Sequence, residues 1–245
     1  MLTDILTVMR KELYEIYLSG GGTRSRSRWS LLLILGVFGI LLPLQFGKEW
    51  LTSPVGILPW AWVPFVLVSS VTADSFAGER ERHTLETLLA SRLSDRAILF
   101  GKMLATVVYG IGLTWGMVLL GLVTTNIANA REGLIFFSPE LLVGVILFSL
   151  LSAAFSSSLG ILLSLRSSSV RQVQQLMSLS MFIFFIPMLL LQFLPSDLQV
   201  RFFTFLRDVD YLQVAVWAGI FLFALVVILV TASVKRFKRA RLILD

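Results

Sequence analysis

The feature that most constrains the fold is a series of long apolar runs. Six can be read along the 245 residues, each bounded by charge or turn-forming residues: roughly 29–46, 55–76, 97–125, 139–165, 172–194 and 212–234. A run of about 18 or more apolar residues is long enough to cross the hydrocarbon core as a helix. Because backbone groups in hydrocarbon must bond to one another, helices are the default spanning structure. The sequence therefore predicts an all-α integral membrane protein with six transmembrane helices.

The distribution of positive charge predicts the orientation of these spans. Of the 21 lysines and arginines, 17 lie in segments that a six-span topology places on one side, and four (Lys48, Arg131, Arg201 and Arg207) lie on the other. Cytoplasmic loops carry an excess of Lys and Arg. Both termini are therefore expected in the cytoplasm, with the protein in the cell's inner (plasma) membrane. Charge placed beside the spans favours contact with the lipid bilayer and argues against nucleic acid as a partner.

Several kinds of catalytic or binding chemistry do not fit this composition. The chain has no cysteine and a single histidine, which excludes thiolate nucleophiles and zinc sites of the His-Glu-x-x-His type. Gly101-Lys102 resembles the end of a phosphate-binding loop, but Arg96 and Met103 stand where glycine and a hydroxyl residue are required. We therefore expect no enzymatic activity, no metal and no cofactor in this chain.

The densest charge lies between the second and third runs. Glu79, Arg82, His83 and Glu86 recur with the spacing of one helical face, and Arg82 can pair with Glu86 across a turn. Leucines form a second face of the same stretch. A helix over about 79–92, charged on one side and joined to a span at each end, is suited to docking a soluble partner. The alternative is a charged loop that serves only as a topology signal.

This stretch also resembles a known family. Residues 77–89 are similar to the loop after the second span in permease subunits of type-2 ATP-binding-cassette exporters, where Glu79, Glu81, Thr84, Glu86, Leu88 and Leu89 match the motif. Gly101-Lys102 matches the usual start of the third span. His83 departs from the pattern, because glycine is usual there, and Ser91-Arg92-Leu93 lacks the usual proline. The resemblance implies a coupling helix that contacts an ATPase subunit through Glu79, Arg80, Glu81, Arg82, His83, Thr84, Glu86, Leu88 and Leu89.

The resemblance further implies the machinery around this chain. The ATPase subunit would bind ATP and magnesium, and a second copy of the permease would complete the pathway. Closure of the ATPases would drive alternating access and move substrate out of the cytoplasm. The first, second and fifth spans would line the path, with Phe65, Phe182 and Phe185 as candidate lining residues. Whether the substrate is a drug, an ion, a lipid or a glycan stays open. The alternative function is a non-transport membrane scaffold or an unrecognised membrane enzyme.

Three further segments carry predictions. Residues 1–28 are expected to form a cytoplasmic amphipathic helix, over 3–18, and a basic linker; the helix lies either in the membrane interface or against protein. The six-span domain then occupies 29–234, and 235–245 is a basic cytoplasmic tail. The stretch 195–210 is too short to span and is expected to be a re-entrant or interfacial outer segment. Trp60 and Trp62 are expected in the aromatic belt at the membrane surface.

Overall fold

The regular structure of the described chain is helical throughout. The computed structural model describes residues 1–19, 24–53, 56, 58–193, 195, 197–198 and 211–237. Its helices are α1 (Leu2–Ser19), α2 (Arg24–Gly36), α3 (Leu42–Phe46), α4 (Glu49–Thr52), α5 (Leu58–Asp74), α6 (Ala77–Glu81), α7 (Leu85–Leu89), α8 (Asp95–Ala128), α9 (Pro139–Arg166), α10 (Val170–Gln192) and α11 (Tyr211–Arg236). A π-helical turn, Val37–Leu41, joins α2 to α3. The predicted all-α class is confirmed, and the segment 199–210, with most of the predicted re-entrant stretch, lies outside the described residues.

Within the described part of the chain, four helical stretches are long and apolar enough to cross a membrane. They are Pro59–Glu81, Asp95–Ala128, Pro139–Arg166 and Leu212–Arg236. The apolar part of α2 and α3, Leu31–Phe46, is shorter. Helix α10 carries Arg171 and three glutamines in its first two turns and is not among the four. The chain is thus a multi-pass membrane protein by composition, while the predicted count of six spans is not established by length and hydropathy.

Small side chains bring the central helices together. α5 packs most extensively on α9, and α8 packs against both. Gly160 of α9 lies so close to Thr72 of α5 that no side chain would fit there. Ser156 on the same helix donates a hydrogen bond to the Phe65 carbonyl, 2.9 Å away. Helices in a bilayer associate through such close packing and interhelical hydrogen bonds, because lipid supplies no hydrophobic force between them.

The bundle has two ends of different character. At the charged end, the start of α8 meets the ends of α5, α9 and α11, and Phe76 packs on Phe237 with ring centroids 5.1 Å apart. At the tryptophan end, Trp50 and Trp60 meet edge to face at 5.6 Å beside Met117. Trp60 is fully buried, so its indole faces protein and not lipid, while its predicted depth at the membrane surface stays a prediction. Its indole packs on Trp50, a contact that the sequence pattern does not reveal.

A helix, α1, lies where the sequence predicts the N-terminal amphipathic helix. It lies along the first turns of α8, where Val8 is buried. Leu2, Leu6 and Tyr17 remain exposed on α1. One face of the helix therefore packs against protein, and the apolar residues on the rest of its surface are free to meet a bilayer.

Candidate functional site

The stretch predicted as one helix over 79–92 is instead two short helices. α6 ends at Glu81 and α7 begins at Leu85, and we refer to residues 77–89 as the helical elbow. His83 sits between them with φ of 56°, a left-handed conformation. The Thr84 amide bonds to the Glu79 carbonyl and the His83 amide to the Arg80 carbonyl, which together make a Schellman C-cap. Because the helix stops here, Glu79 and Glu86 do not share one helical face, and the prediction that they do is wrong.

The backbone explains the family pattern at His83. Glycine is the usual residue at the left-handed position of a Schellman motif, since it has no Cβ to clash. This chain keeps the turn and places a histidine there. The departure at His83 therefore leaves the turn in place, with an exposed imidazole at its tip.

Ser164 of α9 fixes the start of the elbow. Its hydroxyl accepts hydrogen bonds from the amides of Phe76, at 3.0 Å, and Ala77, at 2.8 Å. These are among the first amides of α6, which have no carbonyl partner within their own helix. Ser164 is fully buried. A side chain 87 residues away thus caps the elbow, and this fixes α6 to the end of α9.

Two further contacts join the elbow to the start of α10. The Arg80 guanidinium donates to the Ser167 carbonyl in the turn after α9. The Val170 amide donates to the Glu81 carboxylate at 2.9 Å. Val170 is the first residue of α10, so Glu81 caps that helix in the way an acidic side chain favours a helix N-terminus.

A buried ionic triad joins the elbow to α1 and α8. The Lys102 ammonium lies 2.9 Å from a carboxylate oxygen of Glu79 and 2.9 Å from one of Glu12. Lys102 is only 1% exposed and Glu79 only 6%. Burial opposes ionisation of Glu12, but the charges and hydrogen bonds of Lys102 and Lys11 outweigh it and lower the pKa of Glu12. The triad is therefore an interior ion cluster, which is costly to break.

Arg82 pairs with Asp74, not with the predicted Glu86. Its guanidinium reaches both carboxylate oxygens of Asp74, at 3.0–3.2 Å. Both side chains are partly exposed, so the pair contributes at most about 1 kcal/mol. Its effect is geometric, because it ties the turn of the elbow to the end of α5.

The predicted partner-contacting residues thus separate into two groups. In the first group, Leu88 is half-buried against the apolar cluster at the charged end, Glu79 lies in the ionic triad, and Arg80 bonds to the Ser167 carbonyl. The side chain of Leu89 lies outside the described part of the structure. The exposed tip of the elbow carries Glu81, Arg82, His83, Thr84 and Glu86.

Sequence reasoning did not assign Glu12, Lys102 or Ser164 to this site. Lys102 stands inside a long apolar helix, and an ionisable residue in such a helix is a signal that could have been followed. Glu12 lies on an amphipathic helix among other charges, and Ser164 is one of many serines on α9. Neither carries a local pattern that points to the elbow.

The three phenylalanines proposed for a substrate path have different surroundings. Phe65 is buried and stacks between Trp62, at 5.5 Å, and Phe155, at 6.1 Å. Phe182 on α10 is 58% exposed. It lines an open cavity of about 470 Å³ on that helix, together with Arg171, Gln174, Gln175, Ser178 and Leu179. The Phe185 side chain lies outside the described part of the structure.

Comparison with known proteins identifies the family. A family model described as "ABC-2 family transporter protein" matches residues 51–217, and the chain belongs to that family. The match includes the whole elbow, and it confirms the resemblance to type-2 permeases. Over 139 residues the chain is 28% identical to "ABC transporter permease protein NatB" of Bacillus subtilis (strain 168). That alignment covers 52% of this chain and 36% of the relative, so the chain spans about a third of the relative's length.

Proposed function

We propose that this chain is the permease subunit of an ATP-binding-cassette exporter, driven by a separate ATPase subunit. The supporting observation is the helical elbow. Its first helix is held by residues of α8, α9 and α10, and its tip is exposed. Ser164, Lys102 and Val170 hold its first helix, while His83 and Glu86 face outward. A partner pressing on the tip would meet an element that cannot move without its neighbours.

The anchoring contacts define how a push would spread. α6 continues from α5, is capped by α9 through Ser164, and itself caps α10 through Glu81. A shift of the elbow would therefore shift the ends of three membrane helices together. Interfaces of this kind convert small displacements into helix movements, because packed elements do not deform continuously. We assign alternating access between the two sides of the membrane to this coordinated movement.

The exposed tip supplies the proposed contact with the ATPase. Glu86 lies in the first turn of α7 and is exposed, whereas Glu79 is buried inside this chain. We therefore assign direct contact to the tip residues and an internal supporting role to Glu79. ATP and magnesium would be bound by the partner. Among the described residues, no three side chains of the metal-binding types lie close enough together to hold a metal ion.

Co-purification with the ATPase tests this assignment. Truncating a charge that becomes buried against a partner costs about 2–5 kcal/mol, so Glu86→Ala should weaken binding at least tenfold. Glu49→Ala is the matched control, because Glu49 is an exposed acid in the first turn of a short helix at the opposite end of the bundle. Equal retention of the ATPase by both variants would refute the proposed contact.

We further propose six spans with both termini in the cytoplasm of the plasma membrane. The charge asymmetry supports this, and so does the position of α1 and the end of α11 at the same charged end. A cysteine-free chain allows direct testing with single cysteines. A cysteine at position 11 should react with an impermeant thiol reagent only after the membrane is opened, and one at position 48 should react from outside.

The exposed face of α10 is the proposed substrate path between two copies of the chain. This face of α10 begins with polar residues, from Arg171 to Ser178, and continues with the apolar Leu179 and Phe182. Polar side chains in a spanning helix favour a wet cavity or a protein interface over lipid. Phe182→Ala should alter transport of amphiphilic test compounds in inside-out vesicles, whose ATPases face outward, while the exposed Phe221→Ala on α11 should not. ATP-dependent accumulation in such vesicles establishes the export direction.

A further inference from the structure

The ionic triad joins three elements that are distant in the sequence. Glu12 lies 90 residues before Lys102 and Glu79 lies 23 residues before it. Each belongs to a different element: α1, the elbow and α8. Neither family membership nor the position of the elbow assigns a role to the N-terminal helix or to Lys102.

The bonding capacity of Lys102 is used almost completely. An ammonium has three donors, and two of them meet Glu12 and Glu79. The nitrogen also lies 5.3 Å from the centre of the Phe76 ring, within range of a cation–π contact. Without Lys102, two buried carboxylates would face each other with no cation between them. A buried ion cluster that loses one member is strongly destabilised.

The residue before Lys102 sets how closely α1 approaches. A Cβ added at Gly101 would lie 2.6 Å from the Val8 Cβ and 3.1 Å from the Ile5 carbonyl oxygen. Only a residue without a side chain permits this approach. Gly101 thus allows the backbone of α1 to lie close to α8. The neighbouring Lys102 side chain bonds to both α1 and the elbow. This gives a physical reason for a glycine–lysine pair at the start of α8.

We propose that Lys102 is a positioning residue that fixes α1 to the elbow, so that the N-terminal helix moves with the elbow when the ATPase presses on it. This rests on the proposed function for its role in transport, but the attachment itself can be measured without transport. α1 exposes Leu2, Leu6 and Tyr17 at the same time. A rigid attachment would therefore carry movement of the elbow to a helix that can lie at the membrane surface.

The attachment is tested by spin labels on two exposed positions, Tyr14 of α1 and Thr87 of α7 in the elbow. Their distance is measured by pulsed electron resonance in complexes diluted with unlabelled chain. Lys102→Met should broaden the distance distribution and raise the ATP hydrolysed per substrate moved at least tenfold, since the loss from breaking a buried ion cluster exceeds one factor of ten. Lys48→Met, which removes an exposed lysine paired with Glu132 at the tryptophan end, should change neither quantity.

Two more variants separate attachment from general damage. Gly101→Leu should release α1 although all three charges remain, because the added side chain meets Val8. Replacing Glu12, Glu79 and Lys102 together by methionine should restore the narrow distance distribution and coupling, since a buried ion cluster can be exchanged for apolar groups of similar volume. Restoration would locate the defect of Lys102→Met in the two uncompensated carboxylates of this cluster.

The outcomes are distinct. An unchanged distance distribution in both Lys102→Met and Gly101→Leu overturns the attachment. A released α1 with unchanged ATP use per substrate overturns its role in transport. If the parent protein moves no substrate and never stimulates an ATPase, the proposed function fails, while the distance measurements still decide whether Lys102 holds α1.

Discussion

The two ends of the bundle are held together in different ways. At the tryptophan end, Phe46 stacks on Trp50 at 6.0 Å and Trp50 meets Trp60 at 5.6 Å. The ion pair described there, between Lys48 and Glu132, is exposed. At the charged end, buried polar groups carry the contacts: Ser164 caps α6, and Lys102 holds two carboxylates. Both ends contain apolar packing, but among the described residues the buried ion pairs lie at the charged end.

The difference in contacts between the two ends predicts different effects on stability and on helix movement. Apolar packing tolerates small rearrangements, because its contacts have no strict direction. Hydrogen bonds and ion pairs lose their energy steeply when distance or angle changes. An end joined by directional contacts therefore has a definite geometry that a partner can displace as a unit. We expect mutations at the tryptophan end to act on stability alone, and mutations at the charged end to act on coupling as well as on stability.

The largest expected effect is at the tryptophan end. Trp60→Ala should lower the free energy of unfolding by about 3–5 kcal/mol, because it leaves a large cavity against Trp50. Unfolding titrations in mixed micelles measure this. Trp62→Ala is the control, since Trp62 is only partly buried, and it should cost clearly less. Equal losses would mean that burial does not distinguish the two indoles.

A smaller loss is expected from a single hydroxyl at the charged end. Ser164→Ala should cost about 1–3 kcal/mol, because it leaves the buried amides of Phe76 and Ala77 without their acceptor. Ser158→Ala is matched to it: also fully buried on α9, Ser158 donates only to the Ala154 and Phe155 carbonyls of its own helix. Similar losses from both would contradict the capping role.

Glycine at position 83, in the turn of the elbow, should raise the free energy of unfolding, whereas the two substitutions above lower it. A non-glycine residue in the left-handed conformation costs roughly 1–2 kcal/mol. Glycine removes this cost, but part of the gain is lost because glycine gives the unfolded chain more conformational entropy. His83→Gly should therefore stabilise by about 0.5 kcal/mol, whereas the β-branched His83→Val should destabilise. Thermal unfolding of the two variants decides this. A stabilising valine would show that the turn is not left-handed in solution.

The smallest expected effect depends on pH. The folded-state pKa of Glu12 is lowered from its ordinary value of 4.5. Its contribution to holding α1 is therefore complete above that value and is lost as the pH falls through the lowered pKa. The spin-label distance between α1 and the elbow should broaden in that acidic range, with Lys11, Glu15, Glu79 and Lys102 as the other charged groups nearby. Glu12→Gln should remove this part of the pH dependence.

Much of the fold could be predicted from the sequence, because helix positions follow from apolar length. The predicted third run, 97–125, lies within α8, and the predicted fourth, 139–165, matches α9 to within a residue. The elbow was located by its charge density and motif. Its break was not, since Arg82 and Glu86 fit a continuous helix as well as an interrupted one. Only the conformation of His83 distinguishes the two.

The contacts between distant residues could not be predicted in this way. Glu12 and Lys102 are brought together by the packing of α1 on Gly101, and no local periodicity encodes that. Trp60 illustrates the same limit, because the local sequence pattern does not show which helix its indole meets. The burial of this indole depends on a neighbour, Trp50, that belongs to another helix.

The length of α8 has a mechanical consequence. Its 34 residues make a rod of about 51 Å, against a hydrocarbon thickness of about 30 Å. Lys102 lies seven residues after the first, so the triad sits about 10 Å from one tip of this rod. A tilt of only about 5° around the midpoint would carry that tip sideways by about 2 Å and the opposite tip equally far the other way. α8 can thus act as a lever, with the elbow and the N-terminal helix attached near one tip and Trp50 packed near the other.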